Sequence, residues 1–314
     1  MPSNQSPLGA LPARFRRERV LIVGCGDVGL RVARGLRRRV RLLALTSSPE
    51  RVAALRAAGV TPLQGDLDRA ATLRRLAGLA TRVVHLAPPP AEASASWWRD
   101  LRTAALLRTL RQRSPPRAVV YASTSGVYGD CGGELVSETR AARPRTPRAQ
   151  RRADAERALR HFGRAARVRT SVLRIPGIYA PDRPAGTPRE RLLKGTPVLQ
   201  AGDDVYTNHI HADDLARALM AALWRGKPQR TYNVNDDSAL KMGDYFDLAA
   251  DLYGLPRPPR VPRGTAQDQL PLMLLSFMDE SRRLCNERMK RELRLVLRYP
   301  TVAQGLAAPG SPGR

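Results

Sequence analysis

The sequence has few cysteines, few lysines, few aromatic residues and no long apolar run. Its three cysteines, Cys25, Cys131 and Cys285, form no CxxC pair, so neither a disulfide framework nor a zinc ribbon is expected. Cysteine usage of this kind favours a reducing compartment, and we expect a cytoplasmic protein. Because no stretch of about 18 consecutive apolar residues occurs, no membrane-spanning helix is expected.

The charge is strongly one-sided, with 54 lysine and arginine residues against 28 aspartate and glutamate residues. Lysine occurs only at positions 194, 227, 241 and 290, so almost the whole excess is arginine. Aromatic residues make up 5% of the chain and do not interleave with the basic runs. A dedicated nucleic-acid partner is therefore not favoured, although salt-sensitive adhesion to polyanions is expected.

The most informative stretch is the apolar run at 20–23 and the motif Gly24-x-Gly26-x-x-Gly29 that follows it. The run predicts a buried parallel strand, and the residues after the motif predict a helix. The first glycine permits a tight turn, the second lets backbone approach a pyrophosphate, and the third lets helix pack on strand. We therefore expect a dinucleotide phosphate site here. The loop is completed by Cys25, Asp27 and Val28.

Runs that predict strands alternate with helical patterns through the first half of the chain. These runs cover residues 20–23, 40–45, 60–64, 82–86 and 118–122. This alternation predicts an α/β fold with a doubly wound parallel sheet, the Rossmann architecture. In such sheets ligands bind outside the carboxyl ends of the strands, so the loops that follow these runs are expected to share one crevice.

The sequence also predicts a division of the chain. We expect a Rossmann domain over residues 18–175 and a smaller substrate-side region over 176–300, with residues 206–235 returning to the sheet. The polar, Pro-rich segment 1–17 is expected to be a disordered tail, and 301–314 a flexible one.

The turn after the second predicted strand is expected to determine whether NAD or NADP binds. An NAD site typically has a carboxylate there, whereas this chain has Thr46, Ser47 and Ser48, with Arg51 one turn further on. Hydroxyls and a guanidinium suit a 2′-phosphate, so NADP is preferred over NAD. The alternative is that Ser48 caps a helix and Arg51 is a solvated charge. Asp66 is expected to accept a hydrogen bond from the adenine amino group, with a structural loop aspartate as the alternative.

Several stretches together resemble one family. They are GDL at 65–67, VHLA at 84–87, YASTSGVYG at 121–129, LRIPGIY at 173–179, NHIHADD at 208–214 and YNV at 232–234. In this order they resemble the extended short-chain dehydrogenases/reductases, which include NAD-dependent sugar epimerases and dehydratases. The resemblance implies that Thr124 falls on the catalytic Ser/Thr position. It also implies further residues beside the cofactor, namely Leu67, Leu86, Ala87, Pro88 and Pro176.

The helix after the fifth strand departs from that family's pattern. The family uses a tyrosine and, four residues later, a lysine that lowers the pKa of the tyrosine. Matching the pair at 155–156 to the family's Ala-Glu puts Arg148 at the tyrosine position and Arg152 at the lysine position. Arginine does not deprotonate in proteins, so neither residue can relay a proton, although Arg152 can hold the nicotinamide ribose.

Three alternatives follow for the activity. A substitute acid such as Tyr128 or Thr124 supports turnover, the scaffold carries another reaction, or the chain binds nucleotide without turnover. For Tyr128 a packed aromatic ring is the competing interpretation. The favoured hypothesis is an NAD(P)-dependent oxidoreductase or epimerase for a small sugar-like or nucleotide-linked substrate. The alternative is a non-catalytic dinucleotide sensor. The oligomeric state stays open, with a homodimer as one alternative.

Other polar residues carry weaker signals. Arg174, Arg183 and Arg189 are candidates for holding an anionic substrate, with surface charge as the alternative. The spacing of His209 and His211 resembles a metal site, but helix capping by the aspartates that follow is favoured, and no metal is expected. Cys25 is expected to pack as a small residue, with oxidation as the alternative.

Overall fold

The centre of the molecule is a sheet of seven parallel strands, seen in a computed structural model that describes residues 18–90 and 97–308. The strands are β1 (Arg19–Val23), β2 (Arg41–Thr46), β3 (Thr61–Gln64), β4 (Arg82–His85), β5 (Ala118–Thr124), β6 (Arg169–Ile175) and β7 (Arg230–Asn233). Their order across the sheet is β7-β6-β5-β4-β1-β2-β3, and every neighbouring pair is parallel. The predicted doubly wound α/β fold is confirmed. The strand order reverses between β1 and β4, where such sheets bind ligands.

Helices cover both faces of the sheet and build a smaller lobe beside it. They are α1 (Asp27–Leu36), α2 (Val52–Ala57), α3 (Leu101–Arg111), α4 (Pro147–Ala165), α5 (Arg189–Leu193), α6 (Ala212–Arg225), α7 (Met242–Tyr253), α8 (Arg263–Gln269), α9 (Leu272–Met278), α10 (Glu287–Leu293) and α11 (Val302–Leu306). Four pairs of short strands lie outside the main sheet. They join Leu135–Val136 to Arg283–Leu284, Gly177–Tyr179 to His209–His211, Val198–Leu199 to Arg260–Val261, and Tyr206–Thr207 to Leu240–Lys241.

The continuous apolar run of β1 is explained by burial on both faces. Val20 and Ile22 pack with α1 and α6, whereas Leu21 and Val23 pack with α3 and α4 on the other side. All four side chains are fully buried. Burial of each is worth about 1.5–3 kcal/mol, so this one strand anchors both layers. In the described residues no helix combines the length and the apolar content that a membrane crossing requires.

Two helical predictions differ from the structure. The sequence predicts a long helix after the fourth strand that includes Trp97 and Trp98. In the structure α3 begins at Leu101, because Asp100 caps it by accepting a hydrogen bond from the Thr103 backbone at 2.9 Å. The segment 69–77, predicted as a helix, forms a 3₁₀ helix at Ala70–Leu76.

The prediction of a flexible tail over 301–314 is wrong for its first part. Residues Val302–Leu306 form α11, which Thr301 and Gln304 begin with reciprocal side-chain-to-backbone bonds, a capping box. Val302 and Leu306 are fully buried against the smaller lobe. Residues 1–17 and 309–314 lie outside the described residues.

Glu156 on α4 joins the helix to the two strands beneath it. Its carboxylate accepts the Ser123 hydroxyl of β5 at 2.7 Å and a two-pronged ion pair from Arg174 of β6, at 3.1 and 2.8 Å. Glu156 is 1% exposed and Arg174 is 3% exposed. This buried pair holds the carboxyl ends of β5 and β6 against α4.

We expect Glu156→Gln to lower the free energy of unfolding by about 3 kcal/mol, because it leaves the buried Arg174 guanidinium without a charge partner. Urea unfolding followed by circular dichroism measures the change. Glu190→Gln is the control, since its carboxylate pairs with Lys194 on the exposed surface of α5 and its loss should leave the midpoint unchanged. Equal shifts for the two variants would contradict the assignment.

Candidate functional site

The loop between β1 and α1 lies directly against the end of β4. Gly24 has φ +83°, and a Cβ at this position would lie 2.5 Å from the backbone nitrogen of Ala87. A Cβ at Gly29 would lie 3.3 Å from the Gly24 carbonyl oxygen, where α1 packs on β1. At Gly26 a Cβ would meet no atom within 4 Å. The protein's own packing therefore excludes a side chain at Gly24 and makes one at Gly29 tight, whereas the space beside Gly26 is open to a ligand.

A cavity of about 210 Å³ opens at the point where the strand order reverses. Its walls come from the glycine loop and from the turns after β2, β3 and β4. The predicted cofactor residues that line it are Gly24, Cys25, Thr46, Ser47, Arg51, Asp66, Leu67, Ala87 and Pro88. We call it the adenosine cavity. The predicted residues outside its lining are Gly26, Asp27, Val28, Gly29, Leu86 and Pro176.

Arg51 connects the two walls of the adenosine cavity. Its Nη2 donates to the carbonyl oxygen of Cys25 in the glycine loop at 2.7 Å. The turn after β2 is held by the Thr46 hydroxyl, which accepts from the Ser48 backbone at 3.2 Å, while the Ser48 side chain makes no capping bond. A guanidinium and hydroxyls therefore stand where an NAD site typically has a carboxylate.

Arg102 lines the same cavity and is not among the residues predicted from the sequence. It forms a two-pronged ion pair with Asp68 at 2.8 and 2.6 Å and donates to the Pro88 carbonyl oxygen at 3.2 Å. Asp66 beside it accepts a hydrogen bond from the Asp68 backbone at 3.0 Å. Asp66 thus orders its own loop as well as facing the cavity. No local signal singles out Arg102, because it lies on α3, far along the chain from the glycine loop.

Two other residues of the glycine loop are engaged within the protein. Cys25 is 3% exposed, and burial raises the pKa of its thiol to about 11, which fits the packed interpretation rather than a reactive thiol. Asp27 accepts a hydrogen bond from Arg31, one turn further along α1, at 3.1 Å.

Arg31 ties α1 to the wall of the site contributed by the second half of the chain. This buried guanidinium also donates to Asp182 at 2.7 Å and to Asp213 at 2.5 Å. Arg183, a candidate for substrate binding, has its Nε 3.4 Å from Asp27 Oδ2 and donates a hydrogen bond to the Ile178 carbonyl oxygen at 2.8 Å. Arg31 is not among the residues predicted from the sequence, although its spacing from Asp27 is that of a helical ion pair.

The predicted catalytic residues lie at the ends of β5 and on α4, but they are not equally available. Tyr128 is 1% exposed, donates its hydroxyl to Asn233 at 2.7 Å, and lies under the Arg174 guanidinium. Burial raises the pKa of this phenol. The structure therefore does not present Tyr128 to a substrate, and its geometry is that of the packed aromatic alternative. Thr124 is partly exposed and accepts a hydrogen bond from the Gly126 backbone at 3.2 Å.

Arg152 faces the carboxyl end of β5. It donates to the Ala122 carbonyl oxygen at 2.6 Å and to the Tyr121 hydroxyl at 3.1 Å. Arg148, one turn earlier on α4, is exposed. No tyrosine and no lysine occurs in α4. Loss of the family's Tyr/Lys pair, with Arg148 and Arg152 in its place, stays a prediction. Whether Thr124 and Arg152 act in catalysis stays a prediction.

The cap of α6 differs from expectation. His211, not an aspartate, caps this helix, because its Nδ1 accepts from the Asp213 backbone at 3.2 Å. Burial lowers the pKa of His211, which keeps the acceptor nitrogen unprotonated. His209 stacks on Tyr245 with ring centroids 4.1 Å apart. Packing and capping thus account for both histidines.

Comparison with known proteins agrees with this architecture. A sequence model described as the NAD dependent epimerase/dehydratase family matches residues 20–235. The sheet order and glycine loop define a dinucleotide-binding type of fold, and the chain belongs to this family. No curated protein sequence matches the chain significantly.

Solved structures extend the similarity to most of the chain. A conserved protein of unknown function from Silicibacter pomeroyi DSS is 30% identical, with 92% of this chain and 97% of that chain covered and a TM-score of 0.76. A UDP-glucose 4-epimerase from Thermotoga maritima, solved with UDP-glucose, is 20% identical over 92% and 96%, with a TM-score of 0.75. A UDP-glucose 4-epimerase from Thermus thermophilus, solved with NAD, is 24% identical over 92% and 96%, with a TM-score of 0.71.

The glycine loop allows a test that separates folding from ligand approach. We expect Gly26→Ala to leave the unfolding midpoint unchanged and to weaken NAD(P)H binding about tenfold or more, because the added methyl group enters only the open space. Fluorescence titration and thermal unfolding measure the two effects. The matched change Gly24→Ala should instead cost about 1–3 kcal/mol of stability, since it combines a left-handed backbone with a clash. Unchanged cofactor affinity in Gly26→Ala would show that no ligand approaches this loop.

Proposed function

We propose that this protein is an NADP-dependent oxidoreductase or epimerase that acts on a hydroxyl or carbonyl carbon of a sugar-like or nucleotide-linked substrate. The observation that carries the cofactor choice is the wall after β2, where Arg51 and the hydroxyl residues 46–48 line the adenosine cavity. The proposed sugar-like or nucleotide-linked substrate is supported by a structural relative, since the UDP-glucose 4-epimerase from Thermotoga maritima was solved with UDP-glucose.

The residues of the site fit a dinucleotide. The open space at Gly26 and the amino end of α1 suit a pyrophosphate, because backbone N–H groups and the helix dipole favour negative charge there. The adenosine cavity suits the adenine and its ribose, with Asp66 and Leu67 on one side and Arg51 on the other. When bound, the nicotinamide supplies a hydride acceptor or donor. The protein's own residues then bind the cofactor, orient the substrate and transfer a proton to or from it.

A 2′-phosphate has a suitable partner in Arg51. Its guanidinium has only the Cys25 carbonyl oxygen as a hydrogen-bond partner among the described residues, so donors remain for a phosphate. Arg102, by contrast, is paired with Asp68. Arg51 is therefore the side chain from which we expect selectivity for NADP.

We expect Arg51→Gln to weaken NADPH binding about tenfold or more and NADH binding by less than about threefold, since only NADPH has the phosphate that the guanidinium holds. Isothermal titration with both nucleotides measures the ratio. Arg56→Gln is the control, because Arg56 is exposed near the end of α2 and outside the cavity lining. Equal losses for both nucleotides would remove the NADP assignment.

A second function, nucleotide binding without turnover, is favoured by one observation. The Tyr128 hydroxyl is held by Asn233, and α4 supplies neither tyrosine nor lysine. Turnover then depends on Thr124, whose partly exposed hydroxyl at the end of β5 can donate to a substrate oxygen. The enzyme and the non-catalytic nucleotide binder differ in whether hydride is transferred between substrate and cofactor.

We expect protein mixed with NADP⁺ and a panel of UDP-hexoses to form reduced nicotinamide, detected by its near-ultraviolet absorbance in a single turnover. Thr124→Ala should slow this step about tenfold or more with unchanged NADPH affinity, because a hydrogen bond to the reacting oxygen is lost. Thr139→Ala, at an exposed loop position, is the control and should react as wild type. Cofactor binding with no reduction for any sugar in the panel would favour the sensor.

A further inference from the structure

A second cavity, of about 520 Å³, lies at the amino ends of the central strands, whereas the glycine loop lies at their carboxyl ends. The amino ends of β4, β5 and β6 meet there with the end of α4. We call it the arginine cavity. The polar side chains that line it are Arg82, Arg117, Arg164, Arg167, Arg169 and Gln229.

The strand register brings two of these arginines together. Arg82 on β4 and Arg169 on β6 both pair with Ala118 of the strand between them, so the three residues form one row across the sheet. Parallel strands in register send such a row to the same face. Both guanidiniums donate to one acceptor, the Leu223 carbonyl oxygen near the end of α6, with Arg169 at 2.8 Å. Two positive charges therefore converge on a single backbone oxygen.

The charge in this cavity is poorly balanced. Among the described residues, the carboxylate that pairs with the cluster is that of Glu18, which contacts Arg82 and, at 3.4 Å, Arg117. The side chains of Arg164 and Arg167 are exposed and make no ion pair within residues 18–90 and 97–308. Burial and then the charge of Arg82 lower the pKa of Arg169, as expected for a cation crowded by another cation.

The rim of the cavity is held by the chain itself. Gln229 donates its side-chain amide to the Val168 carbonyl oxygen at 3.0 Å, which ties the turn before β7 to the start of β6. Gln229 and Arg167 both adopt left-handed backbone, each with φ of +53°. Residues other than glycine adopt this conformation infrequently, so local contacts define the shape of the rim.

We propose that the arginine cavity binds a small anion carrying two or more phosphate groups, at a site separate from the dinucleotide site. Guanidinium groups match phosphate oxygens in two-pronged geometry, and a cavity of this size accommodates a small ligand. The lining residues include no aromatic side chain, and the nearby ring of Trp224 packs on the Arg82 guanidinium, whose carbon lies 5.0 Å from the ring centroid. Single-stranded nucleic acid is recognised largely by stacking of bases on aromatic rings, so this lining favours a free phosphate chain over a polynucleotide.

Tripolyphosphate is the probe that tests this proposal. It is titrated calorimetrically into the full chain at about 0.15 M salt, where loose surface attraction is screened, with NADPH present in excess to occupy the dinucleotide site. We expect one tripolyphosphate per chain and unchanged NADPH fluorescence. Displacement of NADPH, several ions per chain, or no binding would overturn the proposal.

Paired variants separate the site from the general positive charge. Arg164→Gln with Arg167→Gln should weaken tripolyphosphate binding about tenfold or more, whereas Arg108→Gln with Arg111→Gln, which removes two exposed charges from α3, should change it less than about twofold. Thermal unfolding checks that both proteins are folded. Equal weakening in both pairs would overturn the proposal.

A parallel titration with ATP shows which part of a ligand the cavity binds. If ATP and tripolyphosphate bind with equal affinity, the cavity recognises the phosphate chain alone, as proposed. ATP that binds while tripolyphosphate does not would show that the base is required, and this outcome would overturn the proposal.

Discussion

The close contact between Gly24 and the end of β4 is the constraint on which the candidate site depends. The left-handed turn at Gly24 lets the chain pass within van der Waals distance of Ala87 and then enter α1. The amino end of α1 therefore faces the gap where the strand order reverses, and the turns after β2, β3 and β4 close around that gap. Any side chain at Gly24 would push the loop away and separate the helix end from the adenosine cavity.

A second organising fact is the shortage of carboxylates for so many guanidiniums. Several arginines use backbone carbonyl oxygens instead: Arg51 donates to Cys25, Arg152 to Ala122 and Arg169 to Leu223. Where a carboxylate is buried, as at Glu156, it fixes an arginine in a rigid two-pronged pair. Carbonyl oxygens carry only partial charge, so they satisfy donors without neutralising them. That difference leaves net positive charge in the arginine cavity and, within the described part of the chain, leaves the charge of Arg51 without a carboxylate partner beside the adenosine cavity.

Much of the fold follows from local pattern, and the exceptions share one physical cause. The apolar runs at 20–23 and 118–122 predict strands correctly because burial on both faces requires continuous apolar sequence. Composition predicts a flexible tail over 301–314, but residues 302–306 form a buried helix, because its packing partners lie on α7 and other distant segments. The cap of α6 by His211 and the burial of Tyr128 against Asn233 likewise depend on residues that the sequence does not place nearby.

The sequence by itself determined the doubly wound sheet, the glycine loop and the wall of hydroxyls with Arg51, since these depend on residues close together in the chain. Only the tertiary structure decided which polar groups are available. It buried Tyr128 with its hydroxyl on Asn233, and it tied Arg31 to Asp182 and Asp213, which are distant in the chain. It also brought arginines at the amino ends of β4, β5 and β6 and around the carboxyl end of α4 into one cavity. A polar side chain is available to a ligand only when no other residue of the protein binds it. Those partners come from distant segments of the chain, so the local sequence does not predict them.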